Sequence, residues 1–246
     1  MFEMKIQVRY SETDPAGYAR LYQILDYFQD AATFHSMSLG LDIGCSLMEG
    51  RAWYLLSWDV VLARYPKIGE NITVITQPYK MKGFYGYRRF FIKDEDGNVM
   101  VSADSIWVLM DTDNKLPVRI PEELTRLFVA PGSDPTVRVK RKLAEKGDWE
   151  KKESIEVTDI FLDSNIHVNN AFYVQWAQML VPRDKTVRRL RVDYRQSAFK
   201  GDILNMYQYM DQDICRVKFT GRDGILIAMA DLYCDYDKEP DFVRES

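Results

Sequence analysis

The sequence predicts an α+β fold in which one unit is written twice along the chain. Two observations carry that expectation. The order strand, polar turn, amphipathic helix and run of antiparallel strands occurs twice, and the two copies align residue against residue. A stretch of Pro, Gly, Ser and mixed charge between them supplies the boundary. Residues 1–130 form the first unit, 131–152 an interdomain connection and 153–246 the second unit.

In the first unit, Met4 to Tyr10 alternate as a half-buried strand, and Ser11 to Gly17 (SETDPAG) is turn chemistry. Leu21, Ile24, Leu25, Phe28 and Ala31 then fall at i, i+3, i+4, i+7 and i+10, one apolar stripe along a helix that faces a sheet. Strands follow in WYLLSWDVVLA, ENITVITQPYK and FYGYRRFFIKDEDGNVMVSADSIWVLMD, with Asp96-Gly97 at a tight hairpin turn.

In the second unit, Glu153 to Val157 reads as a strand, Asp163 to Asn170 as a polar turn and Ala171 as the start of a helix, with strands after it. Aligning Asp14 with Asp163 sets Tyr18 against His167, Leu21 against Asn170, Ile24 against Tyr173 and Tyr27 against Trp176. Aligning YPKIGENITV with SAFKGDILNM matches Gly69 with Gly201, and the hairpin turns match around Gly97 and Gly224. The changing offset implies roughly 17 extra residues in the first copy, expected after its helix in SMSLGLDIGCSLMEGR.

Composition excludes several classes. The chain has 246 residues, 46% hydrophobic and 28% charged, and its 33 basic residues are outnumbered by 37 acidic ones, so phosphate neutralisation by bulk positive charge is not its business. Cys45, Cys215 and Cys234 are odd in number and lack metal-ligand spacing, which argues against disulfides and zinc and for a cytoplasmic home. The opening MFEMKIQVRYSETD has no targeting character, and apolar runs such as Ile225 to Ala230 are far short of the roughly 20 residues that span a bilayer. The expectations are no membrane span, no nucleic acid and no metal or organic cofactor.

There are two histidines. His35 ends the first helix in TFHSMS and reads as a partly exposed helix-terminal imidazole without a catalytic role. His167 lies in DSNIHVNN, where Asp163, Asn165 and His167 recur every second residue; an extended segment would project all three to one side. The helix behind them offers free N–H groups that could polarise a carbonyl. The same residues also suit a plainer arrangement, with Asp163 and Asn165 in turn bonds, Asn169 or Asn170 as helix cap, and His167 in packing.

A helix wrapped by an antiparallel sheet looks like the hotdog fold, and two such units make a double hotdog. DSNIHVNN resembles the Asp-x-Asn-x-His-Val-Asn-Asn signature of the acyl-acyl carrier protein (acyl-ACP) thioesterases. The likeness extends to RYSETDPAGYA, SIWVLMDTDNKLPVRIPEEL and YRQSAFKGD. The resemblance implies thioester hydrolysis in fatty acid biosynthesis, with Asp163 orienting or activating and Asn165 and His167 handling thioester and water. Where the family carries a further acidic residue and an adjacent cysteine, this chain has Ser197 and Ala198, so a cysteine nucleophile is excluded there. Water attack is the favoured reading, with Ser197 ordering the water, ahead of a Ser197–His167 nucleophile–base pair; Ser197 as a plain strand residue with no role is the equal alternative.

The first copy has Ala16 and Tyr18 in place of asparagine and histidine, so it reads as catalytically empty, with Asp14 capping its helix and Leu21, Ile24, Trp53 and Leu55 lining an acyl pocket or simply packing. Arg183, Lys185, Arg188, Arg189 and Arg191, with Arg195 and with Arg138, Lys140, Arg141 and Lys142 elsewhere, form a local basic run that would suit acidic acyl carrier protein; alternation places Arg189 and Arg191 on one side of a strand. Rival readings are an acyl-coenzyme A thioesterase, a hotdog hydratase or dehydratase, and a non-catalytic acyl-binding protein. A monomer or homodimer is expected, since tandem copies already join two units in one chain.

Overall fold

The structure is a computed structural model that describes residues 1–41, 48–134 and 136–235. Cys45 and part of the SMSLGLDIGCSLMEGR segment lie outside the described residues. The chain divides into two compact units, residues 1–56 with 63–139 and residues 57–62 with 140–246.

The first unit contains strands β1 (Phe2–Gln7), β2 (Arg51–Leu62), β3 (Asn71–Lys82), β4 (Tyr85–Lys93) and β5 (Val99–Asp111), in the spatial order β1-β3-β4-β5-β2. The β1/β3, β3/β4 and β4/β5 pairs are antiparallel, with Ile6 opposite Ile72 and Phe90 opposite Ala103. Helix α1 (Leu21–Ser38) buries Leu21, Ile24, Leu25, Phe28 and Ala31, and the stripe continues through Ala32 and His35. A fully buried Leu, Ile or Phe of this kind contributes about 1.5–3 kcal/mol, so the stripe anchors α1 more than intrinsic propensity does. Along β4 the inward positions are Gly86, Arg88, Phe90 and Ile92, and Phe90 meets Phe28 of α1 with ring centroids 5.0 Å apart.

The second unit has β6 (Glu150–Glu156), a short helix, β7 (Val187–Tyr194), β8 (Ile203–Asp211), β9 (Ile214–Thr220) and β10 (Leu226–Cys234), ordered β6-β8-β9-β10-β7. This is the first unit's order again. The other edge of β7 carries Ser57–Leu62 of β2, with Asp59 opposite Arg191. The internal repeat holds at the level of single bonds. Gly69 donates to the Val8 carbonyl at 2.8 Å and Gly201 to Val157 at 2.9 Å, both glycines at positive φ (+76° and +85°). The turn glycines Gly97 and Gly224 are at +85° and +79°, a region that costs glycine nothing.

Two expectations are corrected, and one helix was not foreseen. The first strand stops at Gln7, because Tyr10–Glu12 tighten into a 3-10 turn, which is repeated at Asp159–Phe161. The extra residues of the first copy do not all follow its helix: α1 has 18 residues, whereas its counterpart α3 (Asn170–Gln178) has 9, so part of the insertion is helix. A second helix, α2 (Glu122–Phe128), follows PVRIP; its signals were Pro121 before the first turn, Glu122 and Glu123 in it, and an i,i+4 Glu122–Arg126 pair at 2.8 Å. Residues 140–149 fasten onto the second unit. There the Leu143 N–H donates to Asp193 Oδ2 at 3.2 Å and Arg195 donates to the Leu143 carbonyl at 2.9 Å. Among the described residues no helix is long and apolar enough to cross a membrane.

Candidate functional site

The DSNIHVNN segment is not extended. An antiparallel bridge between Leu162 and Val168 closes it into a loop. Within the loop the Asp163 N–H donates to the His167 carbonyl at 2.8 Å and Ile166 N–H donates to the Asp163 carbonyl at 3.0 Å. Asp163 Oδ1 accepts the N–H groups of Asn165 at 2.8 Å and His167 at 3.4 Å. An aspartate that accepts from the backbone two residues on is an Asx turn, and this local bonding overrides the alternation that would have put Asp163, Asn165 and His167 on one side. Oδ2 of Asp163 has no hydrogen-bond partner among the described residues. Asn165 is exposed, while Asp163 and His167 are half-buried.

The first unit holds the same loop. Thr13 bridges Ala19, Asp14 exchanges backbone bonds with Gly17 and Tyr18, and its Oδ1 accepts from Ala16 at 2.9 Å and Tyr18 at 3.0 Å. Asp14 therefore shapes a turn and does not cap α1, whose N-cap, Arg20, makes no side-chain cap bond. The two loops part at one backbone position. Gly17 takes φ +81°, and the matching residue of the second loop is Ile166 at φ +63°, two-thirds exposed. A β-branched residue in the left-handed region is strained by about 1–3 kcal/mol.

Asn169 caps α3, its Oδ1 accepting from Ala171 at 3.0 Å and its carbonyl from Phe172 at 3.0 Å. The Asn170 N–H, next to this cap, is left without a protein acceptor among the described residues, and the Asn170 carbonyl accepts from Tyr194 Oη at 2.9 Å. Ser197 is not a strand residue: β7 ends at Tyr194 and Ser197 sits half-buried in the loop that follows. That loop is tied to the candidate turn by the Val168 N–H to Ala198 carbonyl bond at 2.9 Å. The His167 ring stands edge-on to Phe199 with centroids 4.9 Å apart.

The basic run is largely committed to partners. Arg189 makes a two-pronged pair with Asp59 at 2.8 and 2.7 Å, Arg191 lies 3.7 Å from the same carboxylate, and Lys185 pairs with Asp213 and Asp235. Arg189 and Arg191 do share a side of β7, as expected, but they share it with an acid that answers them. Arg183 is exposed; the Arg188 cation helps to hold Asp235 below the usual carboxylate range, after the Lys185 hydrogen bond.

Two polar groups of the first unit were missed. His35 is buried, not partly exposed, and its Nδ1 faces Arg88 Nη1 at 3.2 Å. Burial, then the Arg88 cation and the chain's N-terminal ammonium, pull the imidazole down to about 4. The helical stripe itself was the available signal, since His35 continues it at i+14. Tyr27 Oη donates to buried Glu12 at 2.7 Å; burial would raise that carboxyl, but bonds from Arg9 and Tyr27 outweigh it and lower it. Asp26, on α1 nearby, is pushed up to about 6 by burial and by Asp30 and Glu12. Leu21, Ile24 and Leu55 are buried, and Trp53 packs against the cluster of Leu41, Leu109, Ile120, Leu124 and Phe128. Cys215 and Cys234 are buried thiols. Among the described residues no three His, Cys, Asp or Glu side chains converge where they could hold a metal ion.

The sequence matches the family described as Acyl-ACP thioesterase N-terminal domain over residues 1–128, and the Acyl-ACP thioesterase C-terminal domain over residues 144–229. It is similar to the chloroplastic acyl-[acyl-carrier-protein] hydrolase FATB2 of Cuphea viscosissima, 26% identical over 229 residues, covering 86% of this chain and 55% of that protein. The chloroplastic palmitoyl-acyl carrier protein thioesterase of Gossypium hirsutum is 26% identical over 225 residues, covering 83% and 54%. The chain thus spans about half the length of the curated relatives it matches. Two solved structures share the fold: an acyl-ACP thioesterase from Bacteroides thetaiotaomicron (TM-score 0.82, 17% identity, covering 95% and 97%) and the 12:0-ACP thioesterase from Umbellularia californica (TM-score 0.80, 19% identity, covering 95% and 96%). The fold class is α+β with two hotdog-type units, and the chain belongs to the acyl-ACP thioesterase family.

Proposed function

We propose that the chain hydrolyses fatty acyl thioesters of acyl carrier protein, with the chemistry in the second unit and the acyl chain received by the first. The observation that carries this reading is the pair of Asx turns. Asp14 and Asp163 build the same backbone, yet only the second is followed by a carboxamide at Asn165 and an imidazole at His167. A turn kept in both copies is scaffold; the groups added in one copy are the ones that distinguish chemistry from structure.

In this reading the two carboxylate oxygens of Asp163 divide the work. Oδ1 fixes the turn through two N–H groups, and Oδ2 takes a proton from an attacking water, with His167 beside it. Asn165 and the Asn170 N–H, helped by the positive end of α3, hold the carbonyl oxygen as charge builds on it. The water oxygen bonds to the carbonyl carbon, the C–S bond breaks, and the carrier thiolate leaves to take up a proton. Ser197 needs only to order the water through its hydroxyl. For docking an acidic carrier, the exposed Arg183 is the favoured contact, because Lys185, Arg189 and Arg191 already face carboxylates.

The test is free-thiol release from matched acyl-ACP and acyl-coenzyme A panels by wild type, Asp163→Ala, His167→Ala and Ser197→Ala. Turnover on acyl-ACP that collapses in the Asp163 and His167 variants supports the reading. Turnover confined to coenzyme A thioesters would move the substrate to that carrier. Absence of turnover, with a fatty acid retained on the purified chain, would favour an acyl-binding protein.

A further inference from the structure

On β4 the inward positions alternate as Gly86, Arg88, Phe90 and Ile92, so a guanidinium stands where the pattern calls for an apolar side chain. Arg88 is 8% exposed and has no carboxylate partner among the described residues. Both of its hydrogen bonds use Nη1, to Thr76 Oγ1 at 3.1 Å and to His35 Nδ1 at 3.2 Å. Guanidinium only donates, so His35 Nδ1 is the acceptor and the imidazole is neutral. Both partners carry no charge, and among the described residues the donors on Nε and Nη2 have no protein acceptor. Burial alone lowers the group to about 9, which leaves it cationic at neutral pH.

A buried cation answered only by neutral groups carries a desolvation cost of several kcal/mol that a counter-ion would offset. The surroundings define what anion fits. Phe2 and Phe128 flank His35 with centroids 5.8 Å away, Arg88 lies over the Phe128 ring at 5.5 Å, and Phe128 leads into the apolar cluster with Trp53, Leu109 and Leu124. A phosphate or other fully hydrated anion would meet aromatic rings on these sides. An anion with an apolar tail would satisfy both parts.

We propose that Arg88, with Thr76 and His35 behind it, is a carboxylate-binding site inside the first unit that takes the headgroup of an aliphatic acid anion while Phe128 and its neighbours take the tail. The site is separate from the Asp163 turn and does not depend on hydrolysis there. It gives the first unit a means to hold a free fatty acid by its charged end.

The experiment is calorimetric titration of the full chain with sodium decanoate, decan-1-ol and methyl decanoate, on wild type, Arg88→Met and His167→Ala. Wild type and His167→Ala should bind decanoate at least tenfold more tightly than decan-1-ol. Arg88→Met should lose that preference while binding the alcohol as wild type does. Equal binding of decanoate by wild type and Arg88→Met overturns the proposal. So does a preference that His167→Ala abolishes, because the carboxylate would then sit at the candidate catalytic turn. If Arg88→Met does not fold, carbon-13 resonance of carboxyl-labelled decanoate on wild type decides. A bound carboxylate that stays ionised below its free pKa is expected, and one that protonates at or above it refutes the site.

Discussion

Asp163 holds His167 from both sides of its peptide: the Asp163 N–H donates to the His167 carbonyl at 2.8 Å, and Asp163 Oδ1 accepts the His167 N–H at 3.4 Å. The carboxylate thus sets the backbone that presents the imidazole, and the same atom is bonded to Asn165. Asp14 does this for Tyr18 in the first unit.

That correspondence supplies a matched control. Asp163→Ala and Asp14→Ala should each cost about 1–2 kcal/mol, the loss of side-chain to backbone bonds in one turn. Thiol release should fall by about 100-fold or more in Asp163→Ala and by less than about threefold in Asp14→Ala. Melting curves and initial rates on the two proteins check this, and equal activity losses would remove the distinction between the units.

Ile166 occupies, at φ +63°, the position that Gly17 fills in the first loop. Ile166→Gly should raise stability by about 0.5–1 kcal/mol, the relieved strain less the entropy that glycine loses on folding. If the strain serves to hold Asn165 and His167 in place, kcat should drop several-fold although the protein melts higher. Chemical denaturation beside kinetics of the same preparation measures both.

Asp26 gives a pH signature. Its folded pKa is raised to about 6, above the ordinary carboxylate value, so the folded chain binds the extra proton and stability falls as pH rises from about 4 to 6. Asp26→Asn should therefore be more stable than wild type at pH 7, by on the order of 1–2 kcal/mol, and equal to it below about pH 4. His35 acts oppositely. Lowered to about 4, it adds stability that is complete above its unfolded pKa and lost as pH falls, so the Asp26 contribution shows in the difference between variant and wild type, not in either curve alone.

Gly147 lies in the 140–149 segment that fastens onto the second unit, at φ +137°, and a Cβ there would clash with the edge of the Tyr209 ring. Gly147→Ala should destabilise by more than about 3 kcal/mol, by adding overlap to a backbone conformation that alanine avoids. Gly132→Ala, at φ +80° with open space around it, should cost only about 1 kcal/mol. Thermal unfolding of the pair separates steric overlap from backbone strain.

The sequence by itself determined the repeat, the succession of strand, turn, helix and further strands in each copy, and the residues of the candidate turn. These rest on local signals: period 3.6 in Leu21 to Ala31, glycine at the φ-positive turns, and a motif dense in Asp, Asn and His. Only the tertiary structure decided what those groups touch. Alternation could not foresee that Asp163 would fold its segment into an Asx turn, nor that Asp59, 130 residues distant in the chain, would neutralise Arg189. His35 and Arg88 make the point most plainly, since a helix position and a strand position 53 residues apart meet only when α1 packs on its sheet. Burial and charge pairing are properties of long-range contacts, and a linear pattern records which face turns inward but not what waits there.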